Sequence, residues 1–142
     1  MLYQEGHLLR FSNFVFKNGN APKSKYFIVL RRMDDITMLA SLPTSRDHVP
    51  SFAAVEQGCV NIPEQNVNAF VFSPKCQVTS SFSFPLPTFV YGEGVDEYEQ
   101  TYLDAMNCTV EDLGHLMPGL LQSLRDCLKQ ATNIKRKYLN WL

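Results

Sequence analysis

The sequence predicts a β-rich α+β domain, a small barrel of roughly five to seven short strands closed by a C-terminal helix. Three observations lead there. The chain has 142 residues, enough for one domain with one core and too few for a separate cofactor domain. Up to about residue 115, short runs of β-forming residues alternate with Gly, Pro, Asn and Asp. Beyond Leu116 the apolar spacing changes to that of a helix. There is no internal repeat and no low-complexity tract, so residues 1–142 read as a single domain with terminal helices over about 117–142.

Each element has its own signal. Residues 7–16, His-Leu-Leu-Arg-Phe-Ser-Asn-Phe-Val-Phe, lie between Gly6 and Asn18-Gly19-Asn20 and read as one strand or two short ones. Lys17 to Lys25 reads as a cationic, flexible loop holding three lysines. Tyr26 to Leu30 is a continuous apolar run, as expected of a strand buried on both faces. Asp34-Asp35 makes a turn into a partner strand over Ile36 to Leu42. Residues 43–50 form a polar loop between two prolines. Residues 67–72 and 76–84 alternate around Ser73-Pro74-Lys75 and suggest a second hairpin, with further strands at Thr88 to Tyr91 and Thr109 to Gly114. Leu116, Leu120, Leu121, Leu124 and Leu128 mark one face of a helix with Pro118 in its first turn. Thr132-Asn133 can cap a second short helix carrying Ile134, Tyr138, Trp141 and Leu142.

Charge and cysteine usage narrow the function classes. Thirteen basic and fourteen acidic residues give a formal net charge of −1, which excludes a globally basic nucleic-acid binder and allows a locally basic face. The distribution is uneven: residues 1–50 carry +3, residues 51–108 carry −6, and residues 109–142 carry +2. No apolar run is long enough for a membrane span, and the N-terminus lacks the basic and apolar regions of a secretory signal. Cys59, Cys76, Cys108 and Cys127 show no C-x-x-C spacing, and three scattered histidines add no metal-ligand set. The expectation is reduced, partly buried thiols in a cytoplasmic protein with no cofactor and no metal, a disulfide being the exception.

Five consecutive polar residues, Thr44-Ser45-Arg46-Asp47-His48, form the densest candidate site. Placed on a nucleic-acid phosphate, Thr44 would hydrogen-bond it, Arg46 would neutralise it and His48 would act as acid or base. The plainer reading is a turn that follows a strand. Lys17, Lys23 and Lys25 could attract phosphate beside that turn or simply solvate a hairpin loop. Phe11, Phe14, Phe16, Phe82, Phe84 and Phe89 could stack on bases, although their alternation reads first as core. His115 reads as a surface residue, and Lys135-Arg136-Lys137 as a solvated face of the last helix.

One stretch carries a family resemblance. It runs Gly6-His7-Leu8-Leu9-Arg10-Phe11, Asn13-Phe14-Val15-Phe16, a lysine-rich loop, Lys25-Tyr26-Phe27-Ile28-Val29-Leu30, then Leu39-Ala40-Ser41-Leu42-Pro43-Thr44-Ser45. This resembles the opening of the MazF/PemK-like toxins, and Val110 to Gly114, Leu116 and the following helix resemble their closing strand and helix. About the first 45 residues and those near 110–130 are covered; residues 50–108 match only as a general β pattern. The resemblance implies an SH3-like barrel, a homodimer, metal-independent endoribonuclease activity on single-stranded RNA, and an antitoxin protein as partner. It assigns phosphate chemistry to Lys25, which stands for the family's Arg, and to Thr44 of the retained Thr44-Ser45; the polar run adds His48 as acid or base, and Lys17, Lys23 and Arg46 are the expected RNA contacts. Two positions depart from the family pattern: Lys25-Tyr26 stands where the family has Arg-Pro, and Gly6-His7 where it has Gly-Asp. On this reading His7 replaces a structural acid. An ammonium lacks the planar bidentate fork of guanidinium. The departures therefore point to a weakened nuclease, or to a non-catalytic barrel that binds RNA or a protein partner. The acidic middle segment favours a third reading, a protein-interaction module with no nucleic-acid role.

Overall fold

A computed structural model describes residues 3–42 and 57–142. Strands β1 (His7–Phe14), β2 (Lys23–Met33) and β3 (Ile36–Leu42) follow one another as antiparallel neighbours. A three-stranded sheet then forms from β4 (Gly58–Ile62), β5 (Val67–Phe72) and β6 (Thr88–Tyr91), all antiparallel. The chain returns to the first sheet as β7 (Val95–Glu99), runs through a short helix α1 (Gln100–Asp104), and adds β8 (Val110–His115). Helices α2 (Leu120–Leu128) and α3 (Arg136–Trp141) end it. The five-stranded sheet has the order β7-β3-β2-β1-β8.

This sheet is the middle layer, and β2 lies at its centre. Successive side chains of a strand point to opposite faces, and in β2 both faces are apolar. Ile28 and Leu30 join Leu8, Met38 and Ala40 on one face, against Phe70, Phe72 and Val90 of the small sheet and Leu124 and Leu128 of α2. Phe27 and Val29 face the other way, where Leu9, Phe11, Leu39 and Tyr98 pack with Tyr3 and with Leu103 of α1. The apolar run at 26–30 is thus a doubly covered central strand, as expected.

Several boundaries differ from expectation. Eight strands are described, more than the five to seven expected. They form two sheets that are not hydrogen-bonded into a closed ring among the described residues, so the expected closure is not seen there. The 73–87 connection holds an isolated bridge of Thr79 with Phe82, a second of Thr79 with Leu116 just past β8, and a hydrogen bond from the Thr79 hydroxyl to the Leu113 carbonyl of β8 at 2.8 Å. Residues 76–84 therefore make no hairpin with β5, whose two edges are already taken by β4 and β6. Their alternation instead reflects single anchors, Val78 and Phe84, set into the core. The loop expected over Lys17 to Lys25 is shorter, because Lys23 and Lys25 already belong to β2. Strand β7 and helix α1 escaped the sequence pattern: Val95 and Tyr98 are buried at a spacing of three with Asp96 and Glu97 between them, which is not strict alternation.

The terminal helix forms, with Leu124 and Leu128 fully buried and Leu120 and Leu121 half-buried. It begins only at Leu120, because Gly119 before it takes φ 82°, a left-handed value that breaks the helix. Thr132-Asn133 does not cap α3, whose N-cap is Lys135. The turn between β6 and β7 passes so close beneath the α2–α3 connection that a Cβ on Gly92 would lie 2.8 Å from Ala131 Cβ.

Helix α2 is fastened on both flanks. The Arg125 guanidinium donates to the Leu30 carbonyl, with Nε at 3.1 Å, and its Nη2 lies 2.9 Å from Glu5 Oε1. Burial pushes the Glu5 carboxyl up, but the Arg125 hydrogen bond, the Arg32 N–H and the nearby guanidinium charges outweigh it and hold the carboxyl below its usual value. On the other flank Asn68 Nδ2 donates to the Cys127 carbonyl at 2.9 Å. Cys59 of β4 and Cys127 of α2 form a disulfide, which corrects the expectation of four reduced thiols; Cys76 and Cys108 remain free. The pairing was hidden in the sequence because 68 residues separate the two cysteines and only the packing of α2 on β4 brings their Cα atoms to 5.5 Å.

Two stability predictions follow from α2. Leu124→Ala deletes a fully buried side chain and is expected to cost roughly 2–5 kcal/mol, read as a lower urea midpoint. An unchanged midpoint would contradict this packing. Because the cross-link closes a long loop, Cys127→Ser or reduction by a thiol is expected to cost about 4 kcal/mol by the chain-entropy relation. Thermal melts with and without reductant check this.

Candidate anion site at the start of β2

The residues that converge do so at the N-terminal end of β2. Its register with β1 pairs Phe11 with Lys25 and Phe14 with Lys23, with a bulge between the two pairs. Directly paired residues share a face, so Lys23 and Lys25 lie on the side of Phe11, Phe14 and Phe27. Lys25 is only 8% exposed. Burial, and then the neighbouring Lys23 ammonium, lower its pKa below the usual lysine value. Among the described residues no carboxylate or carbonyl accepts a hydrogen bond from Lys25 Nζ. A buried ammonium without a counter-charge is unfavourable unless an anion arrives to share its proton.

The other expected lysines part company. Lys23 is exposed, its Nζ 6.0 Å from the centroid of the half-buried Phe16 ring. Lys17 is engaged elsewhere. Its ammonium lies 3.3 Å from Asp96 Oδ1 and 4.3 Å from the Tyr98 ring centroid, and it donates to the Glu97 carbonyl. Asp96 also accepts from the Tyr138 hydroxyl at 2.9 Å. Burial, and then that hydrogen bond, raise the Tyr138 phenol well above its usual value. Lys137 pairs with Glu97. Residues 96–98 thus tie the 17–22 loop and α3 to an edge strand, and the basic run at 135–137 is part of that tie.

Thr44, Ser45, Arg46, Asp47 and His48 lie outside the described residues. The last described residue of β3, Leu42, pairs with Tyr26, the neighbour of Lys25. Thr44 is two residues further along the sequence.

His7 belongs to a different end of the sheet. Its Nε2 lies 3.1 Å from Asp112 Oδ1, and its Nδ1 accepts from the Gln4 N–H at 3.4 Å. Its ring stacks on His115 at 4.2 Å, and His115 Nε2 is 3.0 Å from Gln4 Oε1. His7 is four residues along β1 from Phe11, the partner of Lys25, a separation of about 13 Å. It therefore locks β1 to β8 and takes no part in the lysine site. His115 is exposed, as expected. Among the described residues no three His, Cys, Asp or Glu side chains converge as a metal-ligand set.

Most of the phenylalanines singled out in the sequence are core. Phe11, Phe14, Phe84 and Phe89 are buried, whereas Phe16 and Phe82 stay half-buried. No protein-family model, no curated protein and no solved structure gives a significant match to this chain.

Lys25 makes a pH prediction with a definite sign. Unfolding returns the amine to about 10.4, so between its lowered folded value and that figure the unfolded chain holds the extra proton. Stability then rises with pH across that window. Lys25→Met removes the buried charge and is expected to raise stability at neutral pH, with an advantage that shrinks as pH climbs toward about 10. Urea titrations at the two pH values test this, and a destabilised Lys25→Met at neutral pH would contradict the uncompensated charge.

Proposed function

We propose that this protein binds single-stranded RNA at the start of β2 and cleaves its backbone without metal, as MazF/PemK-like toxins do, with an antitoxin protein as its counterpart. The observation that carries the reading is Lys25: a buried ammonium with no counter-charge among the described residues, beside a second lysine, next to the pairing of Tyr26 with the last described residue of β3. The accompanying picture is an SH3-like barrel, homodimeric and cytoplasmic. It draws support from the antiparallel β1–β2–β3 meander, the closing strand β8 and the helix α2 in the order that the resemblance implies. No helix among the described residues is long and apolar enough to cross a membrane.

In this chemistry the RNA 2′-oxygen attacks the adjacent phosphorus while the bond to the 5′-oxygen breaks. A base takes the 2′ proton and an acid returns one to the 5′-oxygen, leaving a cyclic phosphate and a free 5′-hydroxyl. Charge builds on the non-bridging oxygens in the transition state, where a fixed cation in a dry site is most effective. Lys25 fills that role. Thr44 and Ser45 hydrogen-bond the phosphate, Arg46 neutralises it, and His48 serves as acid or base.

A second reading is a non-catalytic RNA-binding domain. Lys25-Tyr26 in place of Arg-Pro favours it, because an ammonium lacks the bidentate fork of guanidinium. Incubating the protein with long single-stranded RNA in EDTA separates the two. Cleavage is expected, with Lys25→Ala and Thr44→Ala each slower by about 100-fold or more and binding largely retained. Binding without cleavage selects the second reading. Lys23→Glu combined with Lys25→Glu is expected to abolish RNA binding, and wild-type affinity should fall as salt rises. Cleavage unchanged in both single variants would place the chemistry elsewhere.

A further inference from the structure

Nine phenylalanines lie among the described residues, and seven of them are buried. The two that stay half-exposed, Phe16 and Phe82, both lie against the same short stretch of β2. Phe16 sits under the Lys23 ammonium at 6.0 Å. Phe82 packs on Tyr26, with ring centroids 5.8 Å apart, and Tyr26 is itself only partly buried. Buried Phe84 braces this second pair, 5.5 Å from Tyr26 and 5.1 Å from Phe82, edge-on to both. Alternation along β2 puts Lys23 and Lys25 on one face of the sheet and Tyr26 on the other. Half-exposed rings therefore flank the cationic strand end on both sides. Among the described residues the two exposed large aliphatic side chains, Val15 at 41% and Leu86 at 57%, belong to these same two segments.

A lone half-exposed ring is ordinary. Two that flank one buried cation from opposite faces of the sheet, the cation having no acceptor among the described residues, make the combination that single-stranded nucleic acids use: phosphate on a cation, bases on aromatic faces. We propose that Phe82 with Tyr26, and Phe16 on the opposite face, form stacking platforms for unpaired bases on either side of the phosphate held by Lys25. The proposal rests on the RNA-binding reading above and adds its base subsites. A π-face is common to every base, so the platforms select for unpaired strands and not for sequence.

The test measures anisotropy of a labelled oligouridylate and of a labelled abasic strand of the same length, at low salt, with the intact protein. The base-containing strand is expected to bind about tenfold or more tightly. Phe82→Leu and Phe16→Leu should each lose much of that preference while keeping the slope of log affinity against log salt, because no phosphate contact is removed. Phe82→Trp should preserve the preference. Equal wild-type affinity for the two strands, with the salt dependence intact, would overturn the stacking platforms and leave the phosphate site standing. Binding of neither strand would remove the phosphate site and the platforms together. Full preference in both leucine variants would also overturn the platforms. Should a leucine variant fail to fold, the wild-type comparison of the two strands still decides.

Discussion

Burial of β2 on both faces is the constraint from which the rest of the structure follows. A strand with one solvated face would need a polar residue at every second position. Phe27 to Leu30 has none, so each face of β2 must be covered. The small sheet and α2 cover one side, and the N-terminal segment with α1 covers the other. The same alternation extends one step toward the N-terminus, to Lys25. There it forces an ammonium into the layer of Phe11 and Phe27. A cation in that place is a consequence of strand periodicity running past the end of the apolar run. That is why the charge is buried and has no carboxylate partner among the described residues.

The two sides of the middle sheet are secured differently. On the side of α2, polar ties reinforce the apolar cluster: Arg125 bridges the Leu30 carbonyl and Glu5, and amides of Asn61, Asn68 and Gln130 link the small sheet to the end of the helix. The Cys59–Cys127 disulfide adds a covalent tie on the same flank. Among the described residues, Asn68 Oδ1 is the one buried side-chain oxygen or nitrogen without a hydrogen-bond partner. On the other side the contacts are aromatic, with Phe11, Phe14, Phe27 and Tyr98 meeting largely edge to face. Edge strand β7 joins the two regimes, since Asp96 holds Lys17 from one and Tyr138 from the other.

These ties divide the basic residues by role. The charge of Lys17 and Lys137 is matched by carboxylates and fixes loop and helix positions, so it adds little to any outward potential. Among the described residues Lys23 and Lys25 have no such match at the start of β2. A chain with a formal charge of −1 can therefore present a cationic point where neutralisation fails locally. The half-exposed rings beside that point give it an apolar surround, which sharpens electrostatics by excluding water.

Local signals determined a good deal by themselves. The β1, β2 and β3 meander, the Asp34-Asp35 turn, β5, β6, β8 and the leucine stripe of α2 all follow from periodicity and turn residues within a few positions of one another. Each of these depends on neighbours in sequence, which is where pattern carries information. What needed the tertiary structure depends on distant partners. Strand β7 is a strand because β3 offers it an edge, not because Val-Asp-Glu-Tyr alternates. Residues 76–84 alternate and yet form no strand, because β5 has no free edge left. The disulfide joins cysteines that no local spacing relates. For the site, the lysines and the candidate phenylalanines were visible as residue types. Which lysine would be neutralised and which buried was decided by the three-dimensional arrangement of Asp96, Tyr98 and Phe11. Burial and charge pairing are properties of surroundings, and those surroundings come from parts of the chain up to 80 residues away.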